Sequence, residues 1–213
     1  MMAGAVILLI AMPIHEFSHG LMADRLGDPT PRKHKRLTLN PLRHIDPMGS
    51  LMILVFGFGW AKPVLIDAEN FRHPRRDMAL VAVMGPLSNI AVAFVANIVF
   101  VLLRYFDGYI AAMSMSFIFT IIGYIIMFNL WLAVFNLLPI PPLDGSKFFG
   151  ALLPDQIYFR IMRYERYVGI LLLVLIFTGR LLPFLQQGSR MLLAVINFLT
   201  MPFDILFYSI LRH

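Results

Sequence analysis

Two histidines and a glutamate near the start of the chain are its residues best suited to chemistry, in the run His15-Glu16-Phe17-Ser18-His19. Positions four apart share one face of a helix, so His15 and His19 can offer imidazole nitrogens to a single zinc ion, with Glu16 beside the water that completes the site. Zinc brings the pKa of its water to about 7, and a neighbouring carboxylate can take the proton as the hydroxide attacks a peptide carbonyl. A five-residue motif also arises by chance. Here it interrupts an otherwise apolar stretch, where ionisable groups cost several kcal/mol and are tolerated mainly where they pair, bind or react.

A catalytic zinc usually has three protein ligands and one open position. The chain has no cysteine, so the third must be His, Asp or Glu. Asp144 is the leading candidate. It closes the run Asn136-Leu-Leu-Pro-Ile-Pro-Pro-Leu-Asp144-Gly145, whose prolines break a helix and leave a carboxylate at the edge of an apolar block. An Asp-Gly turn, or the cap of a helix beginning near Ser146, would account for the same residue. Asn136, polar within an apolar segment, and Asn89, in Gly85-Pro86-Leu87-Ser88-Asn89, are candidates to hold a substrate backbone or polarise its carbonyl. Interhelical hydrogen bonding is the alternative for both, and weighs more for Asn89. His44 and Asp46 lie close to a further apolar run and could support the site from behind.

The elements that must position these residues are membrane helices. Hydrophobic residues make up 59% of the 213 and charged residues 14%, against about 25% charged in soluble domains. About 20 apolar residues cross a hydrocarbon core. Two uncharged windows qualify clearly, Met78 to Leu103 and Gly108 to Leu143, and three weaker spans are Met1 to Ala23, Tyr167 to Leu185 and Met191 to Leu211. The first lacks the basic leader of a cleaved signal peptide and runs straight into the His-Glu-His group.

Met48 to Ala61 is apolar but too short to cross, and reads as a re-entrant hairpin or loop lining the cavity of the metal. Ten of the eighteen Lys and Arg residues fall between Arg25 and Arg76. That stretch therefore belongs on the cytoplasmic side, with the N-terminus outside and the active site towards the cytoplasm. The expected fold is an all-α, multi-pass membrane protein with about five transmembrane helices and a short re-entrant segment after the first. Residues 1–150 form the core, and 151–213 supply two C-terminal helices without an assigned role. The net charge of +6 sits beside apolar blocks, where anionic lipid headgroups rather than nucleic acid are its partner.

Taken together, the His15–His19 motif, Asn40-Pro41-Leu42-Arg43-His44-Ile45-Asp46-Pro47, Gly59-Trp60-Ala61-Lys62-Pro63, Gly85 to Asn89 and Asn136 to Gly145 resemble the site-2 protease family of intramembrane metalloproteases, in its order and over roughly the first 150 residues. The resemblance implies a three-helix core in which His15, His19 and Asp144 bind one zinc, Glu16 activates water and Asn136 contacts the substrate or its oxyanion. It also implies cleavage of single-span membrane proteins in regulated intramembrane proteolysis. The chain is similar to small members without a peptide-binding module, and the spanning helix that usually precedes the motif is absent or reduced. The oligomeric state, including a homo-oligomer, stays open. Two other classes compete: a membrane metal transporter, which would need ionisable residues on several spans, and an inactive metal-binding scaffold, which would not need Glu16. Aspartyl and serine intramembrane proteases fit worse, since neither paired membrane aspartates nor a positioned Ser-His pair can be read here.

Overall fold

The computed structural model describes residues 6–56, 59–106 and 112–211. Every regular element among the described residues is helical, as hydrocarbon demands of a chain that must satisfy its backbone within each segment. Helix α1 (Met12–Arg25) is entered through a π-helical turn, Ile7–Ala11, and carries the His-Glu-His group. There follow α2 (Pro47–Phe56), α3 (Pro74–Leu103), α4 (Ala112–Asn136), the short α5 (Asp144–Gly150), α6 (Asp155–Arg163), α7 (Glu165–Phe177) and α8 (Leu182–Leu211). Among the described residues three stretches are long and apolar enough to cross a bilayer: Pro74–Phe106, Ser116–Asn136 and Leu182–Leu211.

Helix ends follow the sequence. Pro74 opens α3 at a position whose N–H would have no partner in any case, and the His73 N–H donates to the Asp77 carboxylate at 3.1 Å. Helix α4 stops at Asn136, just ahead of Pro139, Pro141 and Pro142. Helices α1 and α4 both pack antiparallel to α3: His19 lies opposite Val81, His15 opposite Asn89, and Asn89 opposite Asn129. Farther along, Ala93 packs with Ile122, Ile126, Leu130 and Ile196.

Helix α8 runs antiparallel to α4. Gly188 sits against Val134, while at the far end the Tyr105 hydroxyl donates to the Asp204 carboxylate at 2.7 Å. Between them Asn97 donates to Asn197 at 3.1 Å and to Thr200 at 2.9 Å. So α8 begins beside the end of α4 and finishes beside the end of α3.

The expected span from Tyr167 to Leu185 takes a different form. Its helix, α7, has 13 residues, about 20 Å against a hydrocarbon core of about 30 Å. It ends before Gly179, which adopts φ +71°, the left-handed conformation that terminates helices and favours glycine. Leu172 and Leu181 then pack on Leu138 and Leu143, at the end of α4 where the chain entered. The expected span from Met191 to Leu211 is the later part of α8.

The run from Met48 to Ala61 begins as a helix, α2, rather than as strand or loop. Gly57 and Phe58 lie outside the described residues, as do Met1 to Ala5 of the expected first span. The two arms of the run stay together at their base. The Lys62 N–H donates to the His44 carbonyl at 2.8 Å, and a Cβ on Gly49 would overlap the Trp60 carbonyl.

Candidate metal centre

Helix α1 turns His15 and His19 towards α3, where both are 6% exposed. Close approach of the two helices depends on Gly85: a Cβ there would lie 2.6 Å from Cε1 of His15 and 2.5 Å from Cε1 of His19. Asp144 arrives from 125 residues further on, in the first turn of α5. The N-cap position of that helix is Leu143, so Asp144 stands inside the helix and does not serve as its cap. Instead its Oδ2 lies 3.1 Å from Nε2 of His15 and 3.1 Å from Nε2 of His19, and the two Nε2 atoms are 3.0 Å apart.

This triangle fits a metal ion on two grounds. A tetrahedral ion with bonds of about 2.0–2.1 Å sets its ligand atoms about 3.3 Å from one another, close to the spacing observed. The second ground is the placement of protons. Nδ1 of His19 faces the Val81 carbonyl at 2.7 Å, and a carbonyl only accepts. Nδ1 of His15 faces the Asn89 oxygen at 2.7 Å. Each Nδ1 therefore carries the proton, which leaves two Nε2 lone pairs and a carboxylate oxygen converging on one point. Three acceptors so arranged are suited to a cation held between them, and the donor set of two imidazoles and one carboxylate is one that catalytic zinc uses.

The triangle opens on a cleft of about 170 Å³, room for several water molecules. Glu16, Asn136, Pro63, Val64 and Lys147 share its lining with the three ligand-type residues. The Glu16 carboxylate accepts the Val64 backbone N–H at 2.8 Å, so the chain that follows α2 passes beside it. Asn136 donates to the Leu132 carbonyl at 3.1 Å and faces the cleft. Asn89, for which substrate contact and interhelical hydrogen bonding were the two alternatives, is fully buried, and its bonds go to His15, Ala11 and Asn129. His44 does not reach the site, since its Nε2 bonds the Thr38 carbonyl at 2.8 Å.

Asp28 anchors the loops above the cleft. It is fully buried and accepts from the backbone of Thr30 at 3.0 Å, the backbone of Asp67 at 2.8 Å and the Asn70 amide at 2.8 Å. Burial raises its pKa, but these hydrogen bonds outweigh that and hold the carboxyl below its ordinary range.

The model of peptidase family M50 matches residues 3–176. The chain belongs to peptidase family M50, the site-2 proteases. Among its M50 relatives it is 35% identical to YwhC of Bacillus subtilis over 201 residues, 92% of either chain. It is 34% identical to Rip2 of Mycolicibacterium smegmatis over 151 residues, 68% of this chain and 54% of that one. With MJ0611 of Methanocaldococcus jannaschii the identity is 36% over 100 residues, 47% and 48% of the two chains. All three carry the description "Putative zinc metalloprotease". No solved structure matches. This M50 chain is an integral membrane zinc metalloprotease that hydrolyses peptide bonds of membrane proteins.

Sequence reasoning passed over three participants in this M50 site. Gly85 was legible only as part of a motif, although a glycine between two polar positions in a spanning helix signals close backbone approach. Asn129 stands in an apolar helix about two helical turns before Asn136 and carried the same signal of polarity. Val64 contributes only its backbone, which no residue type announces.

Proposed function

We propose that His15, His19 and Asp144 hold one zinc ion per chain, that Glu16 is the general base and that Asn136 binds the substrate carbonyl. The observation that carries this reading is the 3.0–3.1 Å triangle of acceptor atoms on one wall of a cleft that also holds the Glu16 carboxylate. Zinc in such a site supplies a Lewis acid and a water acidic enough to ionise near neutral pH. A Glu16 Oε takes the proton as water attacks the peptide carbonyl, then returns it to the departing amine nitrogen. The Asn136 amide donates to the carbonyl oxygen as its negative charge grows. Glu16 also separates this reading from an inactive scaffold, which has no use for a base.

The substrates are single-span membrane proteins. A helix is 10–12 Å across with its backbone amides already bonded, so the substrate must unwind to offer an extended peptide to the cleft. The arm from Gly59 to Ile66 forms no helix, passes Glu16 at Val64 and is suited to pair with the substrate. Residues 1–150 make up the catalytic core.

The chain crosses the bilayer four times, through the segment ending in α1, α3, α4 and α8. The re-entrant segment and α7 enter and leave on the same side. With this path fifteen of the eighteen Lys and Arg residues, Arg180 now among them, fall at the metal end, so that end is cytoplasmic.

The test uses wild type and Glu16→Gln, each purified, assayed for zinc and reconstituted in liposomes with single-span membrane proteins. Zinc in both and cleavage by wild type alone is the expected result. Equal cleavage by both would remove Glu16 from its role.

A further inference from the structure

Behind His15, on the side away from the cleft, two buried asparagines form a chain with one direction. The Asn129 amide nitrogen donates to the Ile125 carbonyl at 2.8 Å, which turns its oxygen towards α3. That oxygen accepts from the Asn89 amide nitrogen at 2.8 Å. The same Asn89 nitrogen also donates to the Ala11 carbonyl at 3.1 Å. Both hydrogens of its NH2 group are thereby used, and the Asn89 oxygen is left facing Nδ1 of His15 at 2.7 Å. Asn89 and Asn129 are both 0% exposed, so no water competes for these groups.

We propose that Asn129 and Asn89 are positioning residues that select the protonation site of the His15 ring and so present its Nε2 to zinc. The inference rests on His15 as a ligand. An amide can turn end for end. If Asn89 did so here, its oxygen would face two acceptors and its nitrogen would face Nδ1 of His15, driving the ring proton onto Nε2, the atom that must bind metal. With Asn129 in place that reversal sets two acceptor pairs against each other. Without it only the Ala11 carbonyl resists. Asn129 thus acts on a metal ligand it does not touch, through the orientation of one side chain. Ring nitrogens distal to a metal are normally held by a carboxylate or backbone carbonyl, and an amide relay anchored on two backbone carbonyls does the same work without adding charge inside the membrane.

The experiment measures zinc affinity by chelator competition for wild type, Asn129→Leu, Asn129→Asp and His15→Ala, together with nitrogen NMR of the histidine rings in zinc-loaded wild type. Asn129→Leu is expected to bind zinc about tenfold more weakly, the lower end of the usual effect for partners of metal ligands. Asn129→Asp, whose neutral carboxyl keeps an oxygen facing Asn89 and an O–H facing the Ile125 carbonyl, is expected to bind zinc more tightly than Asn129→Leu. In wild type, His15 should hold zinc through Nε2 with its proton on Nδ1. Wild-type affinity in Asn129→Leu, with zinc lost from His15→Ala, would overturn the relay and leave the ligand assignment standing. Zinc retained by His15→Ala would overturn both. Should Asn129→Leu fail to accumulate, the NMR spectrum decides, since coordination of His15 through Nδ1 contradicts the proposal without any variant.

Discussion

A methyl group on Gly85 would occupy the space now filled by the edge of the His19 ring, 2.5 Å from its Cε1. Packing of α3 on α1 is therefore part of the metal site. Such an overlap is relieved only by moving a ligand or the helix itself, and Gly85 lies in the middle of α3, where α1 and α4 hold the backbone. Gly85→Ala is expected to fold and to bind zinc at least about tenfold more weakly than wild type, the scale of effect seen when the surroundings of ligands are disturbed. Zinc content after dialysis against a chelator measures it, and full retention would show that the rings have room to move.

The Val64 N–H holds the carboxylate of Glu16 at 2.8 Å. Val64→Pro removes that donor, whereas Val64→Ala keeps it. The proline variant is expected to lose about tenfold in kcat with its zinc content unchanged, and the alanine variant to remain within about threefold. Cleavage by the proline variant at the wild-type rate would mean that the backbone bond does not orient the base.

Asp28 ties the segment after α1 to the segment before α3 through two hydrogen bonds, from Asp67 and Asn70, and is held in place by a third from Thr30. Because its folded pKa lies below the ordinary value, its contribution is complete above about pH 4. As pH falls through the lowered folded value, the carboxylate is protonated and the contribution is lost. Asp28→Ala removes the contribution at neutral pH. Amide hydrogen exchange across residues 62–70 should therefore be slow in wild type at pH 7 and much faster in the variant. Equal protection in the two would show that the loops are held by other contacts.

How much of this was legible from sequence differs by residue. His15, Glu16 and His19 lie within five consecutive positions of one helix, the histidines four apart, so spacing alone brings them together. Asp144 was readable as a carboxylate set free by prolines, but its approach to the histidines depends on α3 and α4 packing antiparallel, which no local pattern encodes. Asn89 and Asn136 gave the same signal, an amide in an apolar stretch. Only the packing separates them, since one faces the cleft and the other lies behind a ligand. Hydropathy registered α7 and the start of α8 as a single span because an apolar window does not reveal the turn at Gly179. It likewise could not distinguish a helical α2 from a strand, since both are apolar throughout.

The path of the C-terminal third can be tested directly because the chain has no cysteine. A single cysteine at Arg180 should react with a membrane-impermeant reagent only from the cytoplasmic side. One at Ser209, near the far end of α8, should react from the opposite side. Labelling of position 180 from outside would restore a fifth crossing.

The most direct measurement is zinc bound per chain in wild type, Asp144→Ala and His19→Ala after equilibration with the same chelator. One zinc per wild-type chain, with little or none in either variant, is expected if a carboxylate and two imidazoles more than a hundred residues apart hold one ion. Asp144→Ala retaining a full equivalent as tightly as wild type would contradict it.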